Sequence, residues 1–145
     1  MKINEMQSLP SWKEMKYLAL CYGLEGCEVF SKLSPEVMDK EWNGLGPDRL
    51  PKRIRDFLDR IYKEVLPAAC IHDFRFVIGG SKEEFYAANR ELAQNMYLCL
   101  RHNRRSFSMV GYWMARIRIR IAKYLCDKFG YEGWNKRDAP YNNVC

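Results

Sequence analysis

Three absences narrow the class of this chain before any motif is read. No apolar run approaches the roughly 20 residues that a membrane-spanning helix requires. The opening residues, Met1-Lys2-Ile3-Asn4-Glu5-Met6-Gln7, hold no apolar segment followed by a small-residue cleavage site, so no signal peptide is expected and the chain reads as cytoplasmic when synthesised. There are only two histidines, His72 and His102, and no Cys-x-x-Cys pair, which leaves a Cys/His zinc cluster without a plausible spacing. Internal repeats, low-complexity tracts and linkers are also missing. Acidic residues are in deficit, 18 against 24 Lys and Arg, for a formal charge of +6.

What is present fits one globular domain spanning residues 1–145. Hydrophobic residues make up 48% and charged residues 29% of the 145, a balance that supports a single core. Six cysteines, at 21, 27, 70, 99, 126 and 145, are even in number. Without an export signal they are expected to be free thiols, with Cys70, Cys99 and Cys126 buried in apolar patterns. The cations crowd the C-terminal half, at Arg101, Arg104, Arg105, Arg116, Arg118, Arg120, Lys123 and Lys128. Such a surface attracts polyanions, whether nucleic acid or an anionic bilayer, and it equally suits a solvated helix face.

Apolar spacing predicts an all-α fold. Ser11 with Glu14 forms a capping box for a helix over 11–22, with apolar residues at 12, 15, 18, 19 and 22, broken by Gly23 and Gly26. Ser34-Pro35 starts a second helix that lasts to about Trp42. Residues 51–65 carry a strong stripe at 54, 57, 58, 61, 62 and 65. Pro67 then opens a helix that Gly79-Gly80 ends after Ile78. Ser81 and Glu84 cap the next, over about 82–101, with Phe85, Ala88, Leu92, Asn95, Met96 and Cys99 on its buried side. The short connection between these two makes them an antiparallel pair. A last helix is expected over about 107–128. There Arg116-Ile117-Arg118-Ile119-Arg120-Ile121 alternates like a strand, but Ile117, Ile121, Leu125 and Phe129 continue at i+4 and favour helix. Residues 131–145 read as loop.

Chemistry concentrates in Leu66–Phe76. A helix there puts Ala69, His72 and Phe76 on one face, with Asp73 about 100° away around the axis. One element thus offers an imidazole base and a hard carboxylate to neighbouring points of a cleft. Upstream stands Trp42-Asn43-Gly44-Leu45-Gly46-Pro47, whose glycines let carbonyls of a tight loop converge.

Together, this loop and His72-Asp73 resemble the calcium loop and catalytic helix of the phospholipase A2 superfamily, closest to its small bacterial and prophage members. The likeness covers Trp42–Phe76 and extends through the Gly79-Gly80 turn to about Met96; residues 1–33 and 105–145 carry none of it. It implies a Ca2+ ion held by the carbonyls of Trp42, Gly44 and Gly46 and the carboxylate of Asp73. It implies His72 as the base that activates water against the sn-2 ester of a phospholipid, the Gly44 N–H in the oxyanion site, and a partner for His72 on the facing helix.

The chain departs from that pattern at several points. The facing helix offers Asn89 where the family carries Asp, and the family's assisting tyrosine is Phe76. Cys70 lies two places before His72 rather than three, and Asn43 fills the loop's cysteine position, so the disulfide that ties loop to helix is not expected. The departures keep two other functions open: a weakened relative used as a protein-interaction scaffold, and a basic helical module for nucleic acid. Plainer readings exist for each residue. The glycines suit an ordinary turn, His72 a satisfied core position, and Asp73 a cap or a pair with Arg75. Trp113, Met114 and Tyr124 suit the core better than a lipid-binding surface, and Trp12 and Trp134 suit either.

Overall fold

The computed structural model describes residues 10–42 and 63–136, and among these every regular element is helical. The helices are α1 (Trp12–Tyr22), α2 (Val29–Lys32), α3 (Pro35–Glu41), α4 (Leu66–Ile78), α5 (Lys82–His102), α6 (Met109–Phe129) and α7 (Tyr131–Lys136), with single 3-10 turns at Lys63–Val65 and Arg104–Ser106. The stripe expected over 51–65 lies outside the described residues except for that first turn.

Local chemistry explains the boundaries. Ser11 and Ser81 each accept a hydrogen bond from the backbone N–H three residues on, and Glu14 and Glu84 answer by accepting from the cap residue's own N–H. Ser34 caps α3 and Pro35 occupies its first turn. Gly23 ends α1 in the left-handed region, φ 65°, which lets the Leu24 N–H reach back to the Ala19 carbonyl at 3.0 Å.

Helix α4 is the axis of the fold. Nine of its residues are buried, including Ile71, His72, Phe74 and Val77, because α1, α2, α3, α5 and α7 all pack against it. Its pairing with α5 is antiparallel: His72 meets Asn89, and one turn further on Phe76 meets Phe85. Two indoles hold α3 to the start of α1, Trp12 Nε1 donating to Asp39 at 2.6 Å and Trp42 Nε1 donating to the Pro10 carbonyl at 2.7 Å. Both rings are buried, as is Trp134. Asn95, expected on the buried side of α5, clamps the connection after α1 by accepting from the Glu25 N–H at 2.9 Å and donating to its carbonyl at 2.8 Å. Arg75 forms a bidentate pair with Glu91 on α5, at 3.0 and 2.9 Å, while also reaching Glu28 at 2.6 Å.

Three expectations need correcting. Residues from Tyr131 do not begin as loop but form α7, because Trp134 has an apolar seat against Phe76 and Phe85 and its Nε1 donates to the Gly80 carbonyl at 2.9 Å. The aromatic and methionine residues of α6 are not core: Trp113, Met114 and Tyr124 are exposed, and Ile119 is the one buried residue of that helix. Cys70 and Cys99 are buried as expected, whereas Cys126 is half-buried.

Candidate functional site

Asn89 lies on the inner face of α5, fully buried, opposite His72, whose residue surface is only 9% exposed. The His72 Nε2 and Asn89 Oδ1 are 2.8 Å apart. On its other side the Asn89 Nδ2 donates to Asp127 Oδ1 on α6, also at 2.8 Å, and Asp127 Oδ2 accepts from Lys123 Nζ at 2.6 Å. Four side chains from three helices thus form one continuous polar chain through the interior.

That chain fixes the histidine tautomer. An ionised carboxylate only accepts hydrogen bonds, so Asp127 must face the amide NH2 of Asn89, and the amide oxygen must then face His72. Nε2 therefore carries the proton and donates, which leaves the lone pair on Nδ1. Burial pushes the His72 imidazole below its ordinary pKa, while the bond to Asn89 and the charges of Glu91 and Asp127 pull part of the way back. The ring is neutral at pH 7, the form a proton acceptor needs. Phe76 lies against it, centroids 4.6 Å apart, and belongs with Phe85, Tyr131 and Trp134 to an aromatic cluster that closes one side.

Asp73 follows on the same helix, half-buried with its Oδ2 turned inward. It lies close enough to Cys70 and Cys126 to raise both thiols, though burial is the larger cause in each case; Cys126, which also feels Asp127, is pushed up to about 12. Trp42 ends α3, its N–H bonded to the Met38 carbonyl at 3.1 Å. Of the proposed calcium ligands, Gly44 and Gly46 lie outside the described residues, as does the Gly44 N–H. The described donors, one carboxylate and one peptide carbonyl, are hard oxygens of the kind calcium takes. No group of three or more His, Cys, Asp or Glu side chains among the described residues could hold a metal ion by itself.

Structure adds one residue to those the sequence singled out. Asp127 is the only acid in α6, whose sequence otherwise carries five cations, and that isolation, with Lys123 one turn before it, was the available signal. Trp134, which by sequence suited either core or surface, is buried. Compared with known proteins, the chain matches no family model, no curated protein and no solved structure.

Proposed function

We propose that this chain is a calcium-dependent acyl hydrolase of the phospholipase A2 kind, with His72 as the base that takes a proton from the water attacking the sn-2 ester of a phospholipid. The observation that carries the reading is the 2.8 Å contact of His72 Nε2 with Asn89, itself held by Asp127 at 2.8 Å. A neutral oriented imidazole with its lone pair on Nδ1 is the base this chemistry requires. The family's carboxylate partner is replaced by an amide with a carboxylate behind it. Asn89 orients the ring, and Asp127, on the far side of the amide, supplies the negative charge that favours the imidazolium formed as the water loses its proton.

Asp73 and the carbonyls of Trp42, Gly44 and Gly46 would hold the ion, which when bound supplies positive charge for the oxyanion and the substrate phosphate. The Gly44 N–H would donate to the same oxyanion.

The test is release of fatty acid from mixed phospholipid vesicles with calcium and with a chelator. Activity that requires calcium and disappears in His72→Gln and in Asp73→Asn supports the reading. The charge relay adds a sharper expectation: Asp127→Asn lowers kcat by roughly 10- to 100-fold with KM little changed, the scale of losing an outer partner of a working histidine. Asn89→Asp, which puts the charge directly on His72, restores activity to the Asp127→Asn variant. No fatty acid release from the parent or from Asn89→Asp would end the hydrolase reading.

A second reading, a scaffold for protein interaction without hydrolysis, draws on the near-complete burial of His72 beneath Phe76. It predicts a rise of melting temperature in calcium that Asp73→Asn removes, by mass action of the bound ion, with no release of fatty acid. The nucleic-acid reading is weaker, because the outward face of α6 places isoleucines between its arginines, and a phosphate backbone offers them nothing.

A further inference from the structure

Among the described residues the largest unexplained feature is the outer face of α6. Val110, Trp113, Ile117, Ile121, Tyr124 and Leu125 are each 46–73% exposed. At about 100° per residue they fall within a band of about 120°. The band runs about 22 Å along the helix at 1.5 Å per residue. Arg116 and Arg120 border it on one side and Arg118 on the other, and Lys128 lies beyond its C-terminal end. Its only acid, Asp127, is committed to Lys123 and Asn89. Monomeric proteins seldom leave so long an apolar ridge in water.

We infer that this ridge docks on a bilayer carrying anionic headgroups, with α6 lying flat in the interface. Charge argues for that occupant. A second copy would bring Arg116, Arg118 and Arg120 of both chains together with no acid to meet them. It would also place Arg120 and Asp127, seven and fourteen residues after Trp113, where a two-helix seam needs apolar knobs. A bilayer accepts every part of the pattern. Ile117, Ile121 and Leu125 enter the acyl boundary, Trp113 and Tyr124 sit at headgroup level, and the arginines extend from the borders to lipid phosphate. Among the described residues no helix is long and apolar enough to cross a membrane, so the contact is one of lying on the surface. Asp127 lies on the flank of the same helix, about 100° from the middle of the ridge, so docking brings the polar chain to His72 alongside the interface.

This inference deepens the lipid-substrate reading but is tested by binding alone. The protein is sedimented with vesicles of phosphatidylcholine, and of phosphatidylcholine mixed with phosphatidylglycerol, in chelator so that hydrolysis plays no part. The parent is expected on the mixed vesicles and to leave them as salt rises. Ile117→Asn/Ile121→Asn, at two exposed positions, lowers partitioning by more than about tenfold at an unchanged melting temperature. Arg118→Gln/Arg120→Gln, which keeps the ridge, lowers it by about tenfold on mixed vesicles only. Equal partitioning of parent and both variants overturns the inference, as does a parent that stays in the supernatant. A parent that runs as a dimer, made monomeric by Ile117→Asn/Ile121→Asn, overturns it in favour of a second copy. Vesicle binding without fatty acid release in calcium condemns the proposed activity alone, whereas hydrolysis of dispersed short-chain phospholipid without vesicle binding condemns the docking face alone.

Discussion

Helices α5 and α6 have the same length, 21 residues, follow each other in the chain and pack side by side, yet α5 buries nine residues and α6 only Ile119. Apolar content does not account for the difference, since α6 carries three isoleucines, Trp113, Tyr124, Leu125 and Phe129. Neighbours do. Helix α5 meets α4, α6, α7 and α1, while among the described elements α6 packs along α5 and touches α7. A helix is buried by what surrounds it, and an apolar stripe with nothing to cover it stays in water or finds a partner outside the chain. The polar residues follow the same division: Asn89 and Asn95 are fully buried in α5 and fully bonded, whereas most of the cations on α6 are in or near solvent.

Truncating a side chain on each helix tests this contrast most severely. Leu92→Ala in α5 should cost about 2–5 kcal/mol of stability in denaturant unfolding, since it opens a cavity where α5 packs inward. Equal costs for Leu92→Ala and for its counterpart Ile117→Ala on α6 would break the comparison.

Next in size is Asn89→Leu. It matches the volume but strands His72 and Asp127, and should cost about 1–3 kcal/mol. Neutral behaviour in thermal unfolding would show that the polar chain contributes specificity without stability.

The pH dependence sharpens the same point. Because the folded pKa of His72 is lowered, the unfolded chain binds a proton first as pH falls below 6.5. Stability from this residue is whole above that value and declines as pH drops toward the folded pKa, by at most about 1.4 kcal/mol per pH unit. His72→Gln should remove that slope, measured by unfolding between neutral and mildly acidic pH.

The smallest effect is expected outside. Ile117→Ser should shift stability by no more than about 0.5 kcal/mol, because the side chain it removes is half in water already.

Much of this architecture was legible residue by residue. The capping boxes at Ser11 and Ser81, Pro35 and Pro67 in first turns and Gly79 after Ile78 all act within four residues of one another, and each stands where its chemistry placed it. The face of α5 was legible for the same reason, its apolar residues recurring at helical spacing. That spacing also identified α6 as a helix through its alternating arginines and isoleucines. It could not say which way the stripe faces: Ile117, Ile121, Leu125 and Phe129, the residues that made the helix recognisable, are the ones left in solvent.

His72 and Asn89 were candidates from order and helical register, because a tight turn between two helices fixes which residues oppose each other. Asp127 was not, since 38 residues separate it from the amide it holds. The sequence by itself determined where helices start and stop and which residues share a face, because those follow from hydrogen bonds and side-chain spacing within a turn or two. Only the tertiary structure decided which faces are covered and that a carboxylate on α6 stands behind a histidine on α4, because burial and charge pairing depend on what the rest of the chain brings into contact.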